Sequence, residues 1–444
     1  MNERIKRGIQ KRAIEGRLFA SALNLVRKSV IYIFRLVIKL IRKLIEKAVN
    51  ILFKLIGLLF DPVDRLVRYL FRYHYMNNTP VVDNKIVILT FQATYTCNPK
   101  YICEEIIKRN ADVDLIWDIK NNVIDADYPI KMRFINHKTF DFYREVASAK
   151  IIIENTNIFE QLNMPKKPEQ YLIQTWHGSL GIKRLDGKVV MGSHWDEVSK
   201  EVIEKCNYLL TNCPWEEDVF REAYWKEKVE FKRFGHARND IFHYSEERRK
   251  EIRDKVCRYF GIDPEKKIFL IAPTHREGIS DQKMNLDEID NVLAALGERF
   301  GGEWVVLIRV HNRIKKKAAI WYKDYGALYN ASLYPDMQEL LCAADCGMTD
   351  YSSWIFDYME SYKPAFIVEY DLADFEDARG FYYPIESTPF PIVETLADLP
   401  EAILSFEEKS YKEKVKLFLE EKGCIDDGKS SERIADFVLE LLQK

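Results

Sequence analysis

From residue 85 onward, short runs rich in Ile, Val, Leu and Phe alternate with stretches whose apolar residues return every three or four positions. The runs are KIVILTF (85–91), DLIWDI (114–119), AKIIIENT (149–156) and QYLIQTW (170–176), with helix candidates at Lys100–Arg109 and Phe140–Ala147. After Gly235 a second series follows: KKIFLIAPT (266–274), EWVVLIRVH (303–311), CGMTDYSS (346–353) and PAFIVEYD (364–371). Near-continuous apolar runs of this length fit strands covered on both faces, and their alternation with helices predicts parallel sheets. Two such series in tandem predict an α/β chain of two Rossmann-like halves. Its site should lie in the cleft between them, at the carboxyl ends of the strands. Neither G-x-G-x-x-G nor G-x-x-x-x-G-K-[ST] occurs, so the phosphate cradles of dinucleotide enzymes and P-loop NTPases are missing.

The front of the chain has a different pattern. In SVIYIFRLVIKLIRKLIEKAVNILFKLIGLLF (29–60), Arg35, Lys39, Arg42, Lys43, Lys47 and Lys54 recur at steps of three, four or seven, which aligns them on one helical face. Ile, Leu, Val and Phe fill the positions between. The longest uncharged run of this region is Leu18–Val26, far short of the ~20 residues a spanning helix needs. Residues 1–76 are therefore expected to form amphipathic helices that lie on an anionic membrane surface, apolar face inward and Lys/Arg on headgroups. A helical arm packed on the body or on a sister subunit is the competing reading, and the latter would make these helices an oligomerisation element. A nucleic-acid arm would not need so much Ile, Leu and Phe, so no nucleic-acid partner is expected. Asn77-Asn78-Thr79-Pro80 reads as a linker.

Composition sharpens this division. The 444 residues are 47% hydrophobic and 13% aromatic, which excludes disordered, collagenous and low-complexity classes. The formal charge of −2 hides opposite blocks: residues 1–76 carry 17 Lys/Arg against 5 Asp/Glu, or +12, and the remainder is −14. Eight cysteines stand singly with no C-x-x-C, the usage of reduced thiols in a cytoplasmic protein. No signal peptide is visible in the pattern.

Polar residues that directly follow apolar strands are the candidates for chemistry. Trp176-His177-Gly178 follows YLIQT, with Lys183 and Arg184 just beyond; a His beside Gly can approach a ligand closely and act as a base near neutral pH. Thr274 and Arg276 close the strand IFLI, and Arg309 and His311 close VVLI on one side of that strand. Basic groups at three strand ends of an acidic body suit an anionic ligand. Asp350-Tyr351-Ser352-Ser353 joins a strand to a helix start, where backbone N–H groups and two hydroxyls can seat an anion. Each cluster read alone also fits an ordinary ion pair, loop histidine or helix cap.

In this order the motifs resemble the CDP-glycerol:glycerophosphate glycerophosphotransferase family of teichoic-acid primases and polymerases. The matching text is TWHGS (175–179), RND (238–240), APTHR (272–276), RVH (309–311), YPDMQELLCAADCGMTDYSSWIFDY (334–358), KPAFIVEYDLADFEDARGFYY (363–383) and DGKSSERI (427–434). The resemblance implies a GT-B fold: an acceptor lobe at residues 80–240, a donor lobe at 241–424, and a final helix at 425–444 crossing back. It implies a peripheral enzyme on the cytoplasmic face of the cell membrane that moves a polyol phosphate from CDP-glycerol or CDP-ribitol to a lipid-linked, undecaprenyl-type acceptor, releasing CMP. By the same resemblance His177 is the base and His311 a phosphate-contacting histidine. Thr274, Arg276, Arg309, Asp350, Ser352, Ser353 and Arg379 surround the donor, and Trp176, Gly178, Lys183 and Arg184 face the acceptor. No metal site is expected; were a divalent ion used, Asp350 and Asp357 are the acidic residues at hand. A sugar-nucleotide glycosyltransferase of the same fold and a catalytically silent membrane scaffold are the alternatives.

Overall fold

The computed structural model describes residues 66–120, 129, 131–137, 139–156, 159, 165–180, 183–185, 205–223, 229–274, 286–310, 326–378 and 380–444. The chain divides into two compact units, Met1–Phe71 and Arg72–Lys444. The amphipathic segment with Arg35, Lys39, Arg42, Lys43, Lys47 and Lys54 lies outside the described residues. Residues 66–78 are helical, and among the described residues no helix is long and apolar enough to cross a membrane.

Among the described residues, the second unit holds two sheets whose strands pair in parallel throughout. The first joins β1 (Val82–Leu89), β2 (Asp114–Ile119), β3 (Arg133–Asn136), β4 (Ala149–Glu154), β5 (Tyr171–Gln174), β6 (Tyr208–Thr211) and β7 (Glu230–Arg233) in the order β3-β2-β1-β4-β5-β6-β7. Side chains alternate across it. Ile86, Ile88, Leu115, Trp117, Ile151 and Ile153 face one core, and Val87, Leu89, Ile116, Ile152 and Leu172 face the other with Phe142 and Val146.

The second sheet joins β8 (Lys267–Ile271), β9 (Trp304–Ile308), β10 (Leu328–Asn330), β11 (Cys346–Thr349), β12 (Ala365–Val368) and β13 (Ile392–Val393) in the order β10-β9-β8-β11-β12-β13. Strand order reverses direction between β1 and β4 in one sheet and between β8 and β11 in the other. In open α/β sheets the crevice beyond the carboxyl ends at such a reversal is where ligands bind.

The helix Cys97–Lys108 replaces the predicted Lys100–Arg109, and Phe140–Ser148 matches its predicted start. The helix Ser430–Leu442 returns to the first sheet's side of the molecule. Arg109 Nη2 donates to Glu432 O at 2.9 Å, and Phe437 packs edge-on against Tyr208. Both oxygens of Asp240 accept its first N–H groups, from Ser430 at 2.9 Å and Ser431 at 2.7 Å. A carboxylate there satisfies orphan donors and meets the positive end of the helix dipole. Gly235, at φ +86°, lets the chain pass beneath: a Cβ would lie 2.2 Å from Ser430 Oγ and 2.5 Å from Asp426 Oδ1.

Candidate active site

The loop after β5 carries Trp176, His177 and Gly178, and its backbone is held unusually. Trp176 and Leu180 adopt φ of +52° and +45°, and Ala93 and Cys97 in the facing loop after β1 adopt +55° and +64°. Four non-glycine residues in the left-handed region around one crevice are strain that the surroundings must maintain. Asn98 does part of this, its Nδ2 donating to the carbonyls of Thr175 at 3.0 Å and Trp176 at 3.4 Å. Glu216 does more: Oε1 accepts the N–H of Leu180 at 3.0 Å, and buried His236 lies 3.3 Å from Oε2.

His177 Nδ1 lies 2.7 Å from the carbonyl oxygen of Asn155, which follows β4. That oxygen can only accept, so Nδ1 carries the hydrogen and Nε2 keeps its lone pair. His177 is exposed at the surface even though protein crowds its imidazole. Desolvation lowers its pKa to about 4; the Asn155 carbonyl opposes this, and the charges of Arg238 and Lys183 reinforce it. At neutral pH the imidazole is neutral with Nε2 ready to take a proton.

The second sheet brings its own loops to the same crevice. Asp350, just beyond β11, is buried; its Oδ1 accepts the N–H of Thr274 at 2.8 Å and of Tyr351 at 2.6 Å. It thus shapes the loops after β8 and β11, a role suited to a carboxylate that would repel a phosphate. Ser352 and Ser353 are half-buried before the short helix Trp354–Tyr358. Ser353 is its N-cap by position, yet its hydroxyl does not cap. Ser353 Oγ stands 3.8 Å from where a Cβ on Gly178 would be, so the two sheets' loops meet at the glycine. Arg309, half-buried after β9, donates from Nη1 to Tyr334 O at 2.7 Å, and burial lowers its pKa to about 10. Arg276, His311 and Arg379 lie outside the described residues.

The expected basic pair has a partner in the second half. Lys183 forms a β-bridge with Phe381, and Arg184 N donates to Gly380 O at 3.2 Å. The Arg184 guanidinium pairs with Glu222 at 3.3 Å and lies over the Tyr382 ring. These contacts stitch the WHG loop to the RGFYY segment. A second clamp stands behind the crevice, where Lys100 Nζ meets Asp336 at 2.6 Å and Glu339 at 2.9 Å. Asp357 is saturated rather than open to a metal: Oδ1 receives Arg238 and Asn239, and Oδ2 receives Arg238 and Gln338.

Reading strand ends missed Asn155, although it follows the apolar run AKIIIE in just the way Thr175 follows YLIQ. Arg238 entered only as part of a resemblance, because its partner lies 119 residues away.

Two parallel sheets meeting at their reversal points, with a neutral imidazole on one side of the crevice and hydroxyls on the other, define a chain of GT-B type. The chain belongs to the CDP-glycerol:poly(glycerophosphate) glycerophosphotransferase family, whose model matches residues 70–440. It is 28% identical over 369 residues to a teichoic acid poly(glycerol phosphate) polymerase of Staphylococcus epidermidis, covering 78% of this chain and 48% of that protein. It is 29% identical to a teichoic acid ribitol-phosphate primase of Bacillus spizizenii, covering 82% and 92%. The chain thus spans about half the length of the S. epidermidis polymerase it matches (48%) and nearly all of the B. spizizenii primase (92%). A structure of the wall teichoic acid polymerase TagF superposes with a TM-score of 0.73 at 27% identity, covering 88% of this chain and 97% of that one. A TagF variant soaked with CDPG matches at 0.71 and 25%, covering 88% and 96%.

Proposed function

We propose that this protein transfers glycerol phosphate or ribitol phosphate from the CDP-polyol to a hydroxyl of a lipid-linked acceptor, releasing CMP. The observation that carries the reading is His177, locked by Asn155 with Nε2 unprotonated, opposite Ser353 across Gly178. The acceptor oxygen attacks the β-phosphorus and passes its proton to Nε2. The bond from that phosphorus to the bridging oxygen breaks, and CMP departs with the electron pair. Such transfer depends on in-line placement and charge stabilisation more than on covalent catalysis. Thr274, Arg276, Arg309, His311, Ser352, Ser353 and Arg379 are assigned to the donor side, with Asp350 shaping the loops. Trp176, Gly178, Lys183 and Arg184 are assigned to the acceptor side.

Residues 1–76, at +12, are assigned to an anionic membrane surface, which would place the enzyme at the cytoplasmic face beside its lipid-linked acceptor. Leu66, Tyr69, Leu70 and Tyr73, exposed on helical residues 66–78, extend the apolar character of that region. The names of the relatives, which include both glycerol-phosphate and ribitol-phosphate enzymes, support the donor class.

The test is a donor panel of CDP-glycerol, CDP-ribitol and UDP-sugars with a lipid-linked acceptor, followed by nucleotide release. CMP from one CDP-polyol is expected. Turnover of a UDP-sugar with neither CDP-polyol would overturn the reading. Removal of residues 1–76 should leave a folded body that no longer binds anionic liposomes; retained binding would move the anchor elsewhere.

A further inference from the structure

Arg238 is 2% exposed and belongs to neither the donor nor the acceptor assignments above. Its guanidinium makes a two-pronged pair with Asp357, Nε to Oδ2 at 2.9 Å and Nη2 to Oδ1 at 3.0 Å. Nη2 also donates to the carbonyl of Gly178 at 2.8 Å, and its backbone N–H donates to Asn98 Oδ1 at 3.1 Å. One buried cation therefore holds three things. It grips the backbone immediately after His177, and it is tied to Asn98, which grips the carbonyls immediately before. Its fork closes on the fourth residue after Ser353, within the short helix that follows the two serines.

We infer that Arg238 is a positioning residue for the transfer: it sets the His177 loop of the first half against the Ser352–Ser353 loop of the second. The inference rests on the functional reading above and assigns it a further part. A buried ion pair is a weak source of net stability, since desolvation of both charges offsets their attraction. What a saturated fork supplies is geometry. Asp357 takes further donors from Asn239 Nδ2 at 3.3 Å and Gln338 Nε2 at 3.3 Å, so neither partner can swing. The loop it holds contains Trp176 and Leu180 in left-handed backbone, which would relax if its carbonyls were released. Arg238 and Lys183 are also the cationic charges acting on the His177 imidazole. Lysine cannot replace the fork, because an ammonium is a point charge without paired, coplanar donors.

The experiment compares wild type, Arg238→Lys and Arg238→Gln in CMP release, in equilibrium binding of the CDP-polyol that wild type turns over, and in the pH profile of kcat/KM. Displacing reacting groups by about an ångström costs up to ~10²-fold in rate. Arg238→Lys should therefore lose at least ~10-fold in kcat while donor affinity stays within about threefold, and its acid limb should not move. Arg238→Gln should show the same split, with the acid limb moved to higher pH because a cation beside His177 is gone. Near-normal kcat in both variants, or donor affinity falling in step with kcat, would overturn the inference. If the variants do not fold, Asn98→Ala decides: it leaves the Arg238–Asp357 pair but unties the Arg238 backbone N–H and frees the carbonyls of Thr175 and Trp176 on the other side of His177. It should lower kcat at unchanged donor affinity, and unchanged kcat would sink the idea. A wild-type chain that releases CMP from no CDP-polyol would overturn the functional reading and this one together, whereas an active wild type with undisturbed variants overturns this one alone.

Discussion

The protonation state of His177 offers the most direct quantitative test of the site. Its ring is crowded by protein, its Nδ1–H is committed to Asn155 O, and Arg238 and Lys183 stand near, with the net effect a pKa lowered to about 4. A depressed pKa keeps the base form present as the pH falls. At pH 5 a group of pKa 4 is about nine-tenths neutral, whereas an ordinary imidazole at 6.5 is only about 3% neutral, a ~30-fold difference in competent enzyme. Water on the exposed face of the ring favours the charged form, so the 30-fold figure is an upper bound and the limb should fall between 4 and 6.5. The profile of kcat/KM reports the free enzyme, so CMP release at low donor concentration and constant ionic strength, from pH 4 to 8, is the appropriate assay. Lys183→Ala removes a charge that lowers the pKa and should move the limb upward. The same group acts on stability. The unfolded chain takes up the proton near 6.5 and the folded chain only further down, so folding weakens as pH falls through that window and is unaffected above it. A limb at or above 6.5, or one that persists unchanged in His177→Ala, would refute the assignment of His177 as the base.

Three further outcomes are expected. Gly178→Ala would place a Cβ 3.1 Å from Trp176 Nε1 and 3.8 Å from Ser353 Oγ; kcat should drop ~10-fold or more with a stability loss of about 1–3 kcal/mol, read by turnover and denaturant titration. Gly235→Ala combines a left-handed residue with a 2.2 Å clash against Ser430 Oγ. It should cost about 2 kcal/mol or more and make the segment after residue 425 an early site of limited proteolysis. Raising salt should release the full chain from anionic vesicles only in part, since screening removes the charge attraction and leaves the apolar face engaged; complete release would assign binding to charge alone.

The chain announces its buried strands openly and its edge strands poorly. The runs at 85–91, 114–119, 149–156, 266–274 and 303–311 became β1, β2, β4, β8 and β9, since interior parallel strands are apolar on both faces. The edge strand β7 reads EFKR, and β3 contains only Phe134 and Ile135 as apolar residues. One face of each can stay wet, so no continuous run marks them. His177 was legible because it abuts a strand, and so were Thr274 and Asp350. The fork of Arg238 was not, because its meaning depends on the approach of Asp357, which only the packing of the two sheets brings about. Nor could spacing reveal that Asp357 is spent on four donors or that Arg184 is engaged by Glu222 and Tyr382.

The return of Ser430–Leu442 to the first sheet's side, fastened through Asp240, bears on how the molecule is made. During synthesis the chain for the first half emerges early, but the helix that seals it is translated only after the whole second half. At 5–20 residues per second that delay is roughly ten to forty seconds. Until then the carboxylate of Asp240 has no helix N–H groups to accept and the flank at Gly235 lacks its cover. Closure of that half is therefore a late event in synthesis, later than the whole of the second sheet.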